Sequence, residues 1–342
     1  MSLKILDRGS GELLGWHEPD EQRSWILANK SREMKDKRTT VSAAIASFVQ
    51  DGNLIAMGGF GHDRVSMVSV YEMIRQKKRH LVLAGKTAVH DSDLLIAGGC
   101  VDKVEVAYAF GHELRGLSPA SRRAVESGQV KISGEISNAG FQWRFKAAAM
   151  GLPFMPCRVM IGSDTFNHSS SVVIEDPFNS GPICLVPACY PDVAIIHVHR
   201  CDIYGNCQID GITIEDFELA RAARRLIITT EKIIPNDMIR DEPCRTSIPF
   251  FLVDAVVDAP YGCHPGNMPG LYYFDEDHIA EWLSVSRTSE GVESYLAKYV
   301  YGVKDSDSYL KLVGGVEKMK RLKDLELIGN HPSGPAQRCE TA

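Results

Sequence analysis

The sequence lacks long hydrophobic runs and has no excess of basic residues. No window of its 342 residues approaches the roughly 18 uninterrupted apolar residues of a membrane-spanning helix. The N-terminus lacks a charged segment followed by a long apolar stretch, so we expect no secretory signal. A formal net charge of -6 disfavours an extended nucleic-acid surface, which needs clustered positive charge. We therefore expect neither a membrane nor a nucleic-acid partner.

The sequence also lacks the cysteine pattern of a disulfide framework. Its nine cysteines are odd in number, scattered and mostly embedded in apolar runs. Cysteines in this arrangement are typical of reduced, buried thiols. The pattern predicts a cytoplasmic protein.

Strand-like and helix-like segments alternate along the chain from Thr40 onward. The strands are predicted at 53–59, 80–86, 103–110, 191–199 and 250–260. The helices are predicted at 39–52, 65–78, 91–99, 141–153, 275–286 and 291–302, and a helix joined to a strand at 217–234. Such alternation indicates βαβ units. The fold class is therefore an open α/β fold whose mostly parallel sheet carries helices on both faces.

The chain shows no internal repeat and no low-complexity linker, which favours one domain. Residues 1–37 are polar and charge-dense, and we interpret them as an N-terminal arm outside the regular core. The α/β domain is predicted over 38–324. Residues 325–342 end in a segment rich in Gly, Pro and polar residues, which predicts a loose C-terminal tail.

The stretch "AMGGFGHDR" at 56–64 ends a predicted strand in nearly bare backbone. Glycine lets the main chain approach a ligand closely or adopt positive φ angles. The stretch lacks the Gly-x-Gly-x-x-Gly dinucleotide fingerprint and the Lys-Ser or Lys-Thr that closes a P-loop. Two interpretations stay open at this point: a ligand-binding turn at the carboxyl end of a strand, or a tight turn packed under a helix.

Four segments in register make the sequence resemble the α subunits of family I coenzyme A transferases, most closely the glutaconate CoA-transferase type. They are "GNLIAMGGFGHDR" (52–64), "AAAMGLPFMP" (147–156), "PDVAIIHVHRCDIYGN" (191–206) and "DAVVDAPYGCHP" (254–265). The resemblance spans roughly residues 40–311. It extends to the ring-cleaving CoA-ester hydrolases of steroid catabolism.

The resemblance implies a CoA-transferase (Rossmann-like) fold and a partner β subunit of similar fold, in a hetero-oligomer of α2β2 or larger. Acyl-CoA and a carboxylate would be the substrates, with coenzyme A as a substrate rather than a permanently bound cofactor. In two-subunit members the nucleophilic glutamate lies on the β chain, in a Glu-Asn-Gly type segment. No Glu-Asn pair occurs in this sequence, so this chain is expected to be the non-nucleophilic half.

The resemblance also implies the site residues. Glu135 is the candidate catalytic residue, as general base or substrate-orienting group, and the alternative is a carboxylate favoured by a helix dipole. The candidates for acyl or CoA binding are Gly58, Gly59, Phe60 and Gly61 by backbone approach, Arg64 by bidentate contact with a substrate carboxylate, and Ser163 as a polar wall. The alternatives are a helix-terminal position for Arg64 and an ordinary turn for Ser163.

His197, His199 and Cys201 would project to one face of a strand, which is one pattern of a metal site. The surrounding run reads as a buried strand, and no carboxylate pair completes a set. We therefore expect no metal. The loop containing His264 is either a rigid wall of the cleft or a connector.

Three other functions compete with CoA transfer. The first is a CoA-ester hydrolase that opens a cyclic ketone with Glu135 as base. The second is a CoA-ester decarboxylase, and the third is a non-catalytic α/β domain that senses a small ligand.

Overall fold

The structure is a computed structural model that describes residues 4–178 and 181–326. Most of the tail predicted at 325–342 lies outside the described residues. Within the described ranges, no helix combines the length and apolar character needed to cross a bilayer.

The described residues form 15 strands. They are β1 (Ile5–Arg8), β2 (Arg38–Thr39), β3 (Leu54–Met57), β4 (Leu81–Lys86), β5 (Val101–Ala107), β6 (Lys131–Glu135), β7 (Phe154–Cys157), β8 (Val172–Glu175), β9 (Pro182–Pro187), β10 (Val193–Val198), β11 (Arg200–Cys201), β12 (Cys207–Gln208), β13 (Arg225–Thr230), β14 (Thr246–Ile248) and β15 (Ala255–Asp258).

The same residues form 13 α-helices. They are α1 (Pro19–Asn29), α2 (Val41–Phe48), α3 (Met67–Arg75), α4 (His90–Ala97), α5 (Pro119–Glu126), α6 (Asn138–Ala149), α7 (Asp164–Asn167), α8 (Asp216–Ala222), α9 (Asn236–Asp241), α10 (Glu276–Val285), α11 (Ser289–Leu296), α12 (Ser306–Leu312) and α13 (Gly315–Asp324).

The central sheet has eight strands in the order β2-β15-β13-β10-β3-β4-β5-β6, and every neighbouring pair is parallel. This confirms the predicted open, mostly parallel sheet. The first of the predicted helices begins after Thr40, whose hydroxyl accepts a hydrogen bond from the Ala43 N–H at 3.1 Å. A threonine in this position satisfies one of the unpaired donors at a helix start.

Both faces of the central sheet are buried. Along β3 and β10, Ile55 and Ile195 point into one hydrophobic core, which includes residues of α2 to α5, α10 and α11. Ala56, Ala194 and Ile196 point into the other core, which includes α6, α8 and the strands β7 to β9. Strands covered on both faces read as continuous apolar runs, which explains why these segments were recognisable from sequence.

Two small antiparallel sheets accompany the central one, in the orders β1-β8-β9-β7 and β11-β12-β14. The N-terminal arm enters the first of them, because β1 pairs with β8. The arm is held further by Arg144, whose Nη2 donates to the Leu14 carbonyl oxygen at 2.6 Å. The expectation of an arm outside the regular core needs correction, because β1 completes a sheet.

Candidate active site

The glycine turn (residues 58–63) follows β3, the strand at which the order of the central sheet reverses. From β3 the chain adds β4, β5 and β6 on one side, and later β10 on the other. A crevice opens at such a reversal, beyond the carboxyl ends of the strands, and open α/β sheets bind their ligands there. The turn therefore lies at the ligand end of the sheet.

The N–H groups of Gly58, Gly59, Phe60 and Gly61 all donate hydrogen bonds inside the protein. Their acceptors, in that order, are Ile195 O at 2.8 Å, Asp216 Oδ1 at 3.0 Å, Asp63 O at 2.8 Å and Thr87 O at 3.2 Å. The three glycines are buried, and only the Phe60 side chain is exposed. These four N–H groups are therefore not free to donate to a ligand, and the expected close approach of the backbone to the acyl or pantetheine part stays a prediction.

Packing within the protein explains the glycines at 58 and 59. A Cβ atom on Gly58 would lie 2.6 Å from Asp216 Oδ1 and 2.9 Å from Ile196 Cγ1. Gly59 has a φ of 88°, and a Cβ there would collide with the Asp63 carbonyl oxygen. Neither position has room for a side chain, even without a ligand. This agrees with the interpretation of the segment as a tightly packed turn.

Arg64 supports this turn through Asp216. Its Nη2 donates to Asp216 Oδ2 at 2.7 Å and to the Ile212 carbonyl oxygen at 2.7 Å. Arg64 is only 2% exposed, and the other Asp216 oxygen accepts the Gly59 N–H. Nη2 is thus occupied inside the protein, whereas Nη1 has no hydrogen-bond partner among the described residues. The expected contact between Arg64 and a substrate carboxylate stays a prediction. Arg64 is a positioning residue here.

A buried ion pair lies below the exposed Phe60 ring. Lys86, the last residue of β4, places its Nζ 2.7 Å from Glu215 Oε2 and 5.1 Å from the Phe60 ring centroid. Burial raises the pKa of Glu215 to about 7, although the Lys86 ammonium opposes that shift. A carboxyl group that titrates near neutral pH is a candidate for proton transfer. Sequence reasoning missed this pair, and the available signal was a lysine at the carboxyl end of a predicted strand.

Glu135 lies at the carboxyl end of β6, the edge strand of the central sheet. It is half-buried, and no hydrogen bond or ion pair of its carboxylate is found among the described residues. The following helix, α6, begins with Asn138, whose Oδ1 accepts from Thr87 Oγ1 at 3.0 Å. Because the Thr87 carbonyl oxygen also accepts from Gly61, Thr87 links the glycine turn to the segment carrying Glu135.

Ser163 caps the four-residue helix α7. Its hydroxyl donates to the Met160 carbonyl oxygen at 2.6 Å and accepts from the Phe166 N–H at 3.3 Å. The same loop approaches the site, since the Glu135 N–H donates to the His168 carbonyl oxygen at 3.1 Å. The Ser163 hydroxyl makes its hydrogen bonds within its own turn, as the alternative interpretation expects, and its role as a polar wall stays a prediction.

Residues 38–259 match the family described as Coenzyme A transferase, and this segment is more than half of the chain. The chain belongs to the coenzyme A transferase family. This confirms the resemblance inferred from the four sequence segments.

A curated relative of this family member is the A subunit of glutaconate CoA-transferase from Acidaminococcus fermentans. The two are 34% identical over 312 residues, which cover 86% of this chain and 97% of that relative. The crystal structure of that enzyme superimposes with a TM-score of 0.80 at 33% identity, covering 84% of this chain and 95% of the other. The predicted fold class is confirmed by this match.

Two further relatives match most of this chain at different levels of identity. An uncharacterized protein of Archaeoglobus fulgidus is 60% identical over 97% of this chain and 74% of its own length. The cholesterol ring-cleaving hydrolase IpdA subunit of Rhodococcus jostii is 25% identical over 79% of this chain and 94% of its own. This match confirms the predicted resemblance to the ring-cleaving hydrolases.

The histidines of "HVHRC" are engaged in hydrogen bonds. His197 Nδ1 lies 2.7 Å from Thr229 Oγ1, and its Nε2 lies 2.9 Å from Glu231 Oε1. His199 pairs with the Pro269 carbonyl oxygen at 2.8 Å and accepts the Asp210 N–H at 3.1 Å. Both ring nitrogens of each residue are thus engaged inside the protein. His197 lies on the buried strand β10, and His199 lies just after its end.

One cavity among the described residues lies away from the glycine turn. It has a volume of about 550 Å³ and is bordered by Thr40, Glu72, Asp258 and His264. His264 is fixed there, with Nδ1 2.8 Å from the Tyr309 hydroxyl and Nε2 3.0 Å from Asp275 Oδ2. Neither Glu135 nor the glycine turn borders this cavity.

Proposed function

We propose that this chain is the α subunit of a two-chain acyl-CoA:carboxylate CoA-transferase whose nucleophilic glutamate lies on the partner β subunit. The observation that carries this proposal is the 34% identity to the A subunit of glutaconate CoA-transferase over 97% of that relative's length. The lack of a Glu-Asn pair in this chain supports a nucleophile on a second chain. The partner would complete a hetero-oligomer of α2β2 or larger.

The proposed reaction is a double displacement. The partner's glutamate attacks the acyl-CoA thioester carbonyl, which gives a mixed anhydride and releases the CoA thiolate. The thiolate then attacks the glutamyl carbonyl, which forms an enzyme thioester and frees the donor carboxylate. The acceptor carboxylate attacks this thioester, which expels the CoA thiolate and forms a second mixed anhydride. The thiolate then attacks the acyl carbonyl of that anhydride, which gives the new acyl-CoA and releases the glutamate. Coenzyme A is thus a substrate, and no permanently bound cofactor is needed.

This chain would contribute three groups at the carboxyl ends of β3 to β6. Glu135, with no internal partner, would orient the acyl group or accept a proton. The Phe60 ring would form an apolar wall. The Lys86 ammonium below it would favour the negative charge that develops on the thioester oxygen, since fixed charges act strongly where water is excluded.

The distribution of cavities supports a shared site. The 550 Å³ cavity lies elsewhere, while Phe60 and Glu135 are exposed or half-buried at the sheet edge. A ligand held only by this face would be largely exposed, whereas ligand sites ordinarily bury most of the ligand. A second polypeptide covering this edge would supply the missing walls.

The cysteines support the proposed cytoplasmic location. Eight free cysteines are found within residues 4–178 and 181–326, and seven of them are buried. Burial raises the pKa of the Cys189 thiol to about 12, which keeps it protonated and unreactive. Free, protected thiols are typical of reducing compartments.

The test is an assay of the co-purified α and β chains with an acyl-CoA donor, with and without a carboxylate acceptor. We expect new acyl-CoA to form only when the acceptor and both chains are present. Turnover by this chain alone, or equal turnover without any acceptor, would contradict the proposal.

Hydrolysis of a cyclic CoA ester is the second candidate, and the observation favouring it is the partnerless Glu135 carboxylate. A carboxylate free of internal contacts is available to activate water. In the assay above, free CoA released without an acceptor would favour hydrolysis, and release of carbon dioxide would favour decarboxylation. Tight binding of a small molecule by this chain without turnover would favour a ligand sensor.

A further inference from the structure

Three histidines that sequence analysis did not single out meet beyond the carboxyl ends of β3, β4 and β5. His62 belongs to the glycine turn after β3, His90 begins α4 after β4, and His112 follows β5. His62 Nε2 lies 3.2 Å from His112 Nδ1, and ring nitrogens from all three residues lie within 4.8 Å of one another. Three separate loops thus bring their imidazoles to one point.

The three imidazoles are buried and only partly satisfied. His62, His90 and His112 are 3%, 2% and 0% exposed. Neither ring nitrogen of His90 has a hydrogen-bond partner within the described part of the chain. Buried polar groups are nearly always paired, so a fully buried imidazole with two unpaired nitrogens points to a ligand that supplies the partner.

Carboxylates stand behind two of the three imidazoles. His112 Nε2 lies 3.4 Å from Asp93 Oδ2, and His62 Nδ1 lies 3.6 Å from Glu113 Oε2. In each ring the other nitrogen is the one that faces the cluster. His112 is held as metal-binding histidines typically are, with one nitrogen facing the ligand position and the other directed to a carboxylate, whereas His62 Nδ1 lies near Glu113 without a hydrogen bond.

The carboxylate behind His112 is itself fixed in place. Asp93 Oδ2 accepts from Trp282 Nε1 at 2.6 Å, and Asp93 Oδ1 accepts from Ser121 Oγ at 2.8 Å and from the Ser118 hydroxyl. Together these donors fix the carboxylate, and its Oδ2 faces His112. The tautomer with a proton on Nε2 and a free lone pair on Nδ1 is therefore favoured.

We propose that His62, His90 and His112 form a binding site for a divalent transition metal, with zinc as the best-fitting ion. Tetrahedral zinc with Zn–N bonds of about 2.0–2.1 Å requires ligand nitrogens about 3.4 Å apart, and His62 Nε2 and His112 Nδ1 are already near that separation. Three neutral imidazoles suit zinc, copper or nickel and do not suit magnesium or calcium. The ion would tie together the three loops that flank the glycine turn.

The proposal does not depend on the proposed CoA-transferase activity. It concerns the fixation of the loops after β3, β4 and β5, and the ion takes no part in the displacement chemistry. The sequence contains no spacing motif for such a site, because the three residues lie at positions 62, 90 and 112 of separate loops. The expectation of no metal was weighed only for His197, His199 and Cys201, and the proposed site lies at other residues.

The test measures zinc in the purified full chain after metal removal, incubation with zinc chloride and desalting. We expect about one equivalent of zinc per chain and a rise in melting temperature on zinc addition. His90→Gln should reduce the bound zinc at least about tenfold and abolish the thermal shift. The control is His80→Gln, an exposed histidine paired with Asp102, which should bind zinc like the unaltered chain.

A second measurement keeps the proposal testable if His90→Gln does not fold. Cobalt titrated into the unaltered, metal-free chain should give the intense visible absorption of tetrahedral coordination at about one equivalent. A chain that retains less than about a tenth of an equivalent of zinc, with no thermal shift and no tetrahedral cobalt spectrum, overturns the proposal. The three imidazoles would then be a buried cluster that binds no metal.

Discussion

The glycine turn and the end of β6 lie at the same edge of the central sheet, yet their polar groups are used differently. In the turn, the N–H groups from 58 to 61 are satisfied by Asp216 and by backbone oxygens. At the end of β6, the Glu135 carboxylate has no partner among the described residues. The comparison shows that the glycine turn uses its N–H groups inside the protein. The polar group left without an internal partner is the Glu135 carboxylate at the end of β6.

The largest expected effect is on activity, at Glu135. Replacing Glu135 with Gln should lower turnover of the αβ complex by about 10²–10⁴-fold, the usual contribution of a positioned acid or base. The melting temperature should change by less than about 2 °C, because the carboxylate has no internal contact to lose. Steady-state kinetics and thermal denaturation of the same samples provide the measurements.

The matched control for this variant is Glu175→Gln, at an exposed position on β8. It should leave both turnover and melting temperature unchanged. Full activity in Glu135→Gln would remove the functional half of the comparison, and a large loss of stability would show that Glu135 has a structural role.

The next largest effect is on stability, at Asp216. Asp216→Asn keeps an oxygen for the Gly59 N–H but leaves Arg64 as a buried charge without a counter-ion. Breaking a buried pair in this way costs about 3–5 kcal/mol of unfolding free energy. Urea denaturation of the variant measures the loss directly.

An exposed ion pair provides the control for Asp216. Arg122 and Glu126 pair on α5 with side chains 63% and 61% exposed, so Glu126→Gln should change the unfolding free energy by less than about 0.5 kcal/mol. If Asp216→Asn cost no more than this control, the turn would not be held by the Arg64–Asp216 pair.

A smaller loss is expected at Gly59. Gly59→Ala forces a side chain onto a φ of 88° and against the Asp63 carbonyl oxygen, whereas Gly99→Ala meets a φ of 66° with open space around it. Both variants carry the strain of a positive φ, which is about 1 kcal/mol. The Gly59 variant should lose about 2 kcal/mol more, because the collision adds to that strain. Equal losses in the two variants would show that the turn is loosely packed.

The smallest expected effect is a change of the unfolding free energy with pH, caused by the titration of Glu215. Burial raises the pKa of Glu215 from 4.5 to about 7, so the folded chain holds a proton that the unfolded chain has lost. This contribution to stability is complete below pH 4.5 and is lost as pH rises toward 7. Its slope is at most about 1.4 kcal/mol per pH unit for one group.

Comparison of the unaltered chain with Glu215→Gln isolates this slope from other titrating groups, such as the buried Asp91. Denaturation between pH 4.5 and 7 should show a steeper fall of stability in the unaltered chain. Parallel curves would mean that Glu215 is ionised throughout that range and is not available for proton transfer.

The central sheet was predictable from sequence because its strands are buried on both faces and its helices carry local signals. Ile195 and Ile196 on β10 and the Thr40 cap of α2 are examples. The antiparallel sheets were not predicted, because β1, β7 and β8 are four-residue strands without a distinct period.

The position of the site residues in the fold could be predicted from the sequence, but their hydrogen-bond partners could not. The glycine turn was placed correctly at the end of a strand, but its hydrogen-bond partner Asp216 lies 157 positions later in the chain. The ion pair between Arg64 and Asp216 was missed for the same reason, since nothing local reveals that these two residues meet. The cluster of His62, His90 and His112 likewise arises only when three loops meet.

The most direct test of the proposed function is the location of covalently bound coenzyme A in the assembled enzyme. The αβ complex is incubated with an acyl-CoA donor in the absence of acceptor, and the intact mass of each chain is measured. The account predicts a mass increase of one coenzyme A on the partner β chain and none on this chain. An adduct on this chain, or turnover without an adduct on either chain, would contradict it.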